Sequence, residues 1–312
     1  MSAFQCFAAA PAGLGPFVEV AIGGLLAGVL YSLVALGFVL IFKASGVFNF
    51  AQGAMVLFAA LCLARLGEWM PLWLAFLLSA AAMVATAFVI ERAVLRPLVN
   101  QEGIILFMAT LGVTFFLDGF GQTLFGSDIY KIDLGVPQDP WFVLDPPFEG
   151  GVLLPPIDVI AAVVAGALVV VLAVFFQRTR TGRALRAVAD DHQAAQSIGI
   201  PLNTIWVIVW AVAGFVALVA GMMWGAKLGV QFSLQQVALK ALPVLILGGF
   251  TSVPGAIVGG LIIGAGEKIA EVYLGGPCFG GGIENWFAYV LALGFLLVRP
   301  QGLFGERIIE RV

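Results

Sequence analysis

Long apolar runs, separated by short charged or Pro/Gly-rich stretches, dominate this sequence. A bilayer crossing takes about 20 consecutive, mostly apolar residues. Hydrophobic residues make up 62% of the 312 residues and charged residues 11%, against roughly 25% charged in a typical soluble domain. The pattern predicts an all-α, polytopic integral membrane helical bundle in a single transmembrane domain over residues 1–312. The nine predicted segments are 17–42, 46–66, 71–91, 103–125, 156–177, 204–228, 238–250, 254–273 and 283–299.

The seventh segment is too short to cross a bilayer comfortably. Segments seven and eight are therefore either two crossings or one broken, re-entrant hairpin, which gives eight or nine membrane segments. A weak internal echo relates residues 46–53 to residues 249–255, and each copy is followed by an Arg-Pro pair. Membrane transporters often contain such repeats, with broken helices at corresponding places.

The distribution of arginine predicts the orientation, because arginine clusters resist translocation and stay cytoplasmic. We expect the 126–155 loop, acidic and rich in proline, to be external, extended and irregular, and the 178–203 loop to be cytoplasmic. Nine crossings then place the N-terminus outside and the C-terminus inside. The arginines behind this prediction are Arg92, Arg96, Arg178, Arg180, Arg183, Arg186, Arg299, Arg307 and Arg311.

Polar residues inside the apolar segments are the candidates for a solute path. Segment 103–125 carries a polar stripe at i+4 spacing, and we predict either that it lines the path or that it makes hydrogen bonds between helices. Two amides lie between Gly46 and Gly53, where they need partners inside the bundle. The predicted path residues are Asn49, Gln52, Thr110, Thr114, Asp118 and Gln122.

Residues 183–198 read as one short helix in the predicted cytoplasmic loop, ended by Gly199 and Pro201. Its apolar and alanine positions, Leu185, Val188, Ala189, Ala195 and Ile198, are expected to form a shallow surface for a partner's groove. The alternative is a solvated, positively charged loop. The residues predicted to dock and orient this helix are Arg183, Arg186, Ala187, Asp190, Ala194, Ala195 and Gly199.

The sequence contains no evident catalytic or metal-binding constellation. His192 is the single histidine, and no lysine follows a glycine, so neither an HExxH nor a Walker A motif is present. Cys6, Cys62 and Cys278 lie far apart and are expected to be ordinary small residues. We expect no cofactor, metal, catalytic residue or nucleic-acid partner. Four GxxxG pairs, Gly24/Gly28, Gly221/Gly225, Gly255/Gly259 and Gly260/Gly264, predict close helix packing.

Four stretches resemble the permeases of branched-chain amino-acid ABC importers, and the short N-terminus resembles that of the H-type rather than the longer M-type subunit. They are residues 46–53 (GVFNFAQG), 183–200 (RALRAVAD at its start), 247–260 (LGGFTSVPGAIVGG) and 298–305 (VRPQGLFG). Many members of that family have an acidic residue where this chain has Ala54, so the resemblance carries no solute assignment from this loop.

The resemblance implies a pore subunit in a bacterial inner (cytoplasmic) membrane, paired with a second related permease. Two cytoplasmic ABC ATPases and an external solute-binding protein would complete the importer, and the 183–198 helix would couple to the ATPases. The implied solutes are branched-chain amino acids, urea, amides or aromatic acids. An ion-coupled secondary transporter is the alternative function, since broken helices and a membrane carboxylate suit it as well.

Overall fold

The computed structural model describes residues 13–46, 48–98, 101–137, 139–143, 145, 151–190 and 192–305, without the side chains of 190, 192 and 193. The helices are α1 Leu14–Ser45, α2 Gln52–Gly67, α3 Leu72–Val89, α4 Gly103–Phe125, α5 Pro156–Arg178, α6 Arg180–Asp190, α7 His192–Ser197, α8 Leu202–Leu228, α9 Val237–Gly248, α10 Val253–Ala270 and α11 Glu284–Val298. Two π-helices, Ile90–Leu95 and Glu271–Phe279, continue α3 and α10, and 3-10 turns occupy Arg96–Leu98 and Phe232–Gln236.

Each of the nine predicted apolar segments corresponds to a helix, and α4 matches its predicted bounds. Six helical stretches of the described chain are long and apolar enough to cross a membrane. They are Leu14–Ser45, Leu72–Leu98, Gly103–Phe125, Pro156–Arg178, Leu202–Leu228 and Val253–Phe279. The prediction of an all-α, multi-helix membrane protein is confirmed.

Three further apolar helical stretches are shorter: Gln52–Gly67, Phe232–Gly248 and Glu284–Val298. At 1.5 Å per residue, the 16 residues of α2 extend only about 24 Å, less than the roughly 30 Å of a bilayer's hydrocarbon core. Helix α1 ends at Ser45 and α2 begins at Gln52, so the apolar run that the sequence shows there is divided between two helices.

Contacts between Cα atoms divide the chain into two compact units. The first comprises the described residues within Met1–Ala35, Gly135–Gly166 and Lys240–Val312. The second comprises Leu36–Leu134 and Ala167–Leu239.

Helix α2 is the core of the second unit, where it contacts α3, α4, α8 and the 3-10 turn Phe232–Gln236. Thirteen of its residues are buried, as expected for a helix that is apolar on every side. Close approach to α8 depends on Gly221, because a Cβ there would lie 2.5 Å from the carbonyl oxygen of Val56.

The first unit is held together by glycine contacts between α1 and α10. A Cβ added to Gly24 would lie 2.7 Å from the Cα of Ala265, and one added to Gly264 would lie 2.5 Å from the Cα of Gly28. Ser32 continues the contact by donating to the carbonyl oxygen of Ile257 at 3.3 Å. The GxxxG pairs at 24/28 and 260/264 therefore pack against each other, backbone to backbone.

Helices α9 and α10 form a tight hairpin in the same unit. A Cβ on Gly259 would lie 2.6 Å from the carbonyl oxygen of Val244, which shows how closely the two backbones approach. Ser252 caps α10 by accepting from the backbone N–H of Gly255 at 3.0 Å, a common arrangement at a helix N-terminus.

The motifs at 247–260 and 298–305 meet in the folded chain. Leu303 N donates to Leu247 O at 2.8 Å, and Phe304 N donates to Gly248 O at 3.2 Å. Gly249 and Gly302 have φ values of +100° and +75°, and a Cβ on either would lie 2.8 Å from a backbone nitrogen of the other strand of chain. Only glycine satisfies both conditions.

The 126–155 loop differs from the expected irregular chain. Strands β1 Trp141–Val143 and β2 Val152–Leu154 pair antiparallel, with Phe142 opposite Leu153. Tyr130 also exchanges two backbone hydrogen bonds with Val230, of 3.0 and 2.7 Å. The loop's β-branched and aromatic residues favour such pairing, and its proline content concealed them.

The expectation that the cysteines are ordinary small residues is wrong for Cys278, which is disulfide-bonded. Cys62 is a buried free thiol, and Cys6 lies outside the described residues. Cys278 lies at the end of the second π-helix, close to the start of α11.

We expect Gly28→Ala to destabilise the protein and Gly23→Ala to leave it as stable or slightly more stable. The added methyl at Gly28 would lie 2.9 Å from the Cα of Leu261, whereas at Gly23 it meets nothing within 4 Å. Overpacking costs about 1–3 kcal/mol, while Gly→Ala in an open helical position gains roughly 0.5–1 kcal/mol. Thermal unfolding in detergent measures both, and equal melting temperatures for the two variants would contradict the packing.

Candidate functional site

A cluster of amide and hydroxyl groups lies in the second unit where the chain breaks between α1 and α2. Asn49, Gln52 and Thr110 are fully buried. The Asn49 Nδ2 donates to Gln52 Oε1 at 3.3 Å, and its Oδ1 accepts from the backbone N–H of Ala51 at 3.1 Å. The hydroxyl of Thr110 accepts from the backbone N–H of Phe50 at 3.2 Å. These side chains supply hydrogen bonds to the non-helical backbone between α1 and α2, which has no partners within a helix.

Gln52 has unused hydrogen-bonding capacity. Its Nε2 is buried and has no hydrogen-bond partner among the described residues. The amide packs against Gly37, where a Cβ would overlap it. An unsatisfied buried donor costs about 1–3 kcal/mol, so Gln52 differs from most buried polar groups, which are hydrogen-bonded.

Aromatic rings surround the same break. Phe48 stacks on Phe38 with centroids 5.2 Å apart, and Phe50 packs edge-on against Phe107, also at 5.2 Å. Such a shell excludes water and strengthens the enclosed polar contacts.

The remaining residues of the predicted α4 stripe do not join this cluster. The Thr114 hydroxyl donates to the carbonyl oxygen of Thr110 in its own helix, at 2.9 Å. Asp118 is partly buried, and its Oδ1 has no partner among the described residues. Gln122 is exposed. The structure thus brings together Asn49, Gln52 and Thr110, while Thr114, Asp118 and Gln122 follow along α4.

A charge network in the first unit was missed in the sequence. Lys240 of α9 lies 2.9 Å from Glu267 of α10 and 3.4 Å from Glu284 of α11. Lys268 lies 3.2 Å from the other oxygen of Glu284. Tyr31 of α1 donates to Glu267 Oε1 at 3.1 Å. Four helices therefore meet through charged and hydroxyl groups.

Glu267 is the buried centre of this network. Its side chain is 1% exposed, compared with 25% for Lys240 and 42% for Lys268. Glu267 Oε1 accepts hydrogen bonds from both Lys240 and Tyr31. Its Oε2 is buried and has no hydrogen-bond partner in the described part of the chain. The sequence alone indicates these residues as candidates. Lys240 lies in predicted segment seven and Glu267 in predicted segment eight, and an ionisable residue inside a membrane segment is a functional candidate by default.

Glu271 joins the network to the chain that precedes α11. Its Oε1 accepts from the backbone N–H of Gly282 at 2.6 Å, and its Oε2 accepts from the N–H of Glu284 at 3.0 Å. A carboxylate at a helix N-terminus satisfies free N–H groups there. Glu271 therefore fixes the first turn of α11 and, with it, the position of Glu284.

The predicted coupling segment is described as two helices, α6 and α7, with Asp191 between them outside the described residues. Both contact α8. Gly199, at φ +86°, follows α7, and Pro201 precedes α8.

The exposed surface of this segment is smaller than the sequence indicated. Leu185, Val188 and Ala195 are buried, because α6 and α7 turn these residues into their own unit. Ala187 is half-buried, and the side chain of Asp190 lies outside the described residues. The exposed members of the predicted set are Arg183, Arg186, Ala194, Ile198 and Gly199.

These features define the class of protein. The chain is an all-α, multi-pass membrane protein with polar groups held inside apolar helices. One cluster holds amides and a hydroxyl, and the other holds ion pairs and a tyrosine hydroxyl.

The comparisons with known proteins give the family. The family described as "Branched-chain amino acid transport system / permease component" matches residues 20–299. The chain belongs to this family and is the permease component of a branched-chain amino acid ABC transport system, a transport subunit rather than an enzyme.

Two curated permeases match this chain over nearly their whole length, and a third matches in part. The chain is 30% identical over 308 residues to the high-affinity branched-chain amino acid transport system permease protein BraD of Pseudomonas aeruginosa, which covers 95% of this chain and 98% of that protein. It is 26% identical over 310 residues to the corresponding permease protein LivH of Escherichia coli, with the same two coverages. The fructose import permease protein FruF of Bifidobacterium longum is 24% identical over 244 residues, 75% of this chain and 65% of that protein.

We expect Lys240→Met to destabilise the first unit more than Lys240→Met combined with Glu267→Gln. The single change leaves a buried carboxylate without its cation, which in general costs about 3–5 kcal/mol, and the partial exposure of Lys240 favours the lower end. The double change removes the charge but keeps an oxygen for Tyr31. Thermal unfolding of the variants measures this coupling, with Lys268→Met as the more exposed control. A double variant that is less stable than either single one would contradict the role of the pair.

Proposed function

We propose that the chain forms, with a second related permease, the translocation path of an importer for branched-chain amino acids or for related small solutes such as urea, amides or aromatic acids. Two cytoplasmic ABC ATPases would drive it, and an external solute-binding protein would deliver the solute. The observation that carries the proposal is the family match over residues 20–299. The names of BraD and LivH support the solute class, while that of FruF is a reason to include other small polar solutes.

The proposed path runs along the polar residues of the second unit. It comprises the amide cluster of Asn49, Gln52 and Thr110, and then Thr114, Asp118 and Gln122 on α4. Two features support it: the unpartnered Nε2 of Gln52 and the unpartnered Oδ1 of Asp118. A passing polar solute or water can supply the hydrogen bonds that the protein does not.

Asp118→Leu is expected to reduce uptake at least tenfold while the assembled complex is purified in normal yield. The physical reason is the loss of a carboxylate that the protein itself leaves unsatisfied. Thr123→Leu is the control, because Thr123 is exposed on the same helix and bonds only to its own backbone, at Gly119 O. Wild-type uptake by the Asp118 variant would assign the stripe to helix packing.

The proposed orientation is nine crossings in a bacterial inner membrane, with the N-terminus outside and the C-terminus in the cytoplasm. Six long and three shorter apolar helical stretches of the described chain support that number. The disulfide at Cys278 is independent support. This orientation places the turn between α10 and α11 outside, where disulfides persist.

Thiol chemistry tests the orientation. In denaturing detergent we expect Cys62 to react with maleimide without reduction and Cys278 to react only after reduction. With an impermeant reagent, a cysteine introduced at Ser127 should react in intact cells and one introduced at Ser197 only in inverted membrane vesicles, since both positions are exposed. Reaction of both from the same side would overturn the topology.

The proposed ATPase contact is the exposed part of α6, α7 and the turn that follows. Arg183 and Arg186 provide charge, and Ala194, Ile198 and Gly199 provide a low surface that can enter a groove. Arg186 is partly held by its own chain, because its guanidinium lies 3.5 Å from the carbonyl oxygen of Gln177. The burial of Leu185, Val188 and Ala195 supports a segment that is packed firmly against its own unit rather than a loose loop.

Ala194→Trp is expected to lower both co-purification of the ATPases and solute uptake, because the indole would prevent close approach. The permease should remain inserted and stable, since Ala194 is exposed. Ser127→Trp places the same side chain on the proposed external loop and should leave both measurements unchanged. Full ATPase association and full uptake in the Ala194 variant would return the segment to a solvated loop.

A further inference from the structure

An apolar groove of about 690 Å³ lies in the second unit between α3 with its π-helix and α4. Small residues create it. Ala85 and Ala93 line one side, Ala109 and Gly112 line the other, and Val89 and Phe116 form its walls. A Cβ built on Gly112 meets nothing within 4 Å, so the space beside it is open.

Two arginine side chains lie next to the groove, on the helical stretch that continues α3. Arg92 and Arg96 are exposed and lie within one turn of the lining residues Ala93 and Val94. Neither forms a described ion pair. The neighbouring Glu91 is buried. The guanidinium of Arg92 lies 5.9 Å from the ring centre of Phe88, which holds its stem against the helix.

We propose that this groove and its two arginines bind an anionic phospholipid, with an acyl chain in the groove and the phosphate on Arg92 and Arg96. Arginine binds phosphate through paired N–H donors, and basic pockets between membrane helices are known to take lipid headgroups. The groove supplies the apolar half of an amphiphile's site and the arginines supply the charged half.

The size of the groove favours a lipid chain over a helix of a second permease. A helix 10 Å wide and 30 Å long occupies roughly 2,400 Å³, more than three times the volume available. A packed apolar helix would also leave the phosphate-binding donors of both arginines unused. The π-helix adds a reason to expect a binding role here, since such local widenings occur frequently at functional sites.

Native mass spectrometry of the purified full chain, titrated with phosphatidylglycerol and separately with phosphatidylcholine, tests the proposal. Gly112→Leu places a side chain in the groove, where an added Cβ meets nothing within 4 Å. Gly119→Leu is its matched control, because Gly119 is also open and exposed on α4 but does not line the groove. Arg92→Gln with Arg96→Gln removes the headgroup contacts. Arg178→Gln with Arg180→Gln removes the same charge from exposed positions on other helices.

The expected result is preferential binding of phosphatidylglycerol, weakened about tenfold by Gly112→Leu and roughly fivefold for each arginine removed at 92 and 96. Both controls should bind as the wild type does. Equal binding of the two lipids, or wild-type phosphatidylglycerol binding by the Gly112 and arginine variants, overturns the proposal. Loss of the second permease from Gly112→Leu complexes, with lipid binding intact, also overturns it and assigns the groove to that subunit.

Discussion

The constraint on which the rest of this structure depends is that a backbone surrounded by hydrocarbon must satisfy its hydrogen bonds within the protein. Regular helix does this over most of the chain. Where the helix breaks, side chains supply the missing hydrogen bonds. Asn49 and Thr110 bond to the turn before α2, and Glu271 bonds to the turn before α11. The irregular segments are therefore also the places where polar groups gather.

Helix packing follows from the same solvent. Between apolar helices in lipid there is little hydrophobic driving force, so association depends on close backbone approach and on interhelical hydrogen bonds. The contact of Gly24 and Gly28 with Gly260 and Gly264 supplies the close backbone approach. Ser32 supplies an interhelical hydrogen bond. Lys240 and Glu267 add a stronger interaction to the same unit at the cost of desolvating two charges.

Most of the helices could be predicted from the sequence, because they depend on local features: the length of each apolar run and the arginine or glycine residues at its ends. The bounds of α4 are the clearest case. The charge network could not be assembled, since Glu267 and Tyr31 are 236 positions apart and the network draws on four different helices. The burial of Leu185, Val188 and Ala195 could not be predicted either. A face of small residues that packs against its own protein has the same sequence pattern as one that binds a partner. For the proposed path residues, the sequence placed Asn49 and Gln52 in one stretch and Thr110 in another, and only the fold brings the three together.

Transport by the purified complex, reconstituted in proteoliposomes with its ATPases and binding protein, tests the central claim most directly. The claim is that solute movement through this chain is driven by ATP hydrolysis in partner subunits and not by an ion gradient. Uptake of radiolabelled leucine should require ATP, stop with orthovanadate and continue in the presence of a protonophore and a sodium ionophore. Uptake that proceeds without ATP and collapses when the ion gradients are dissipated would contradict it.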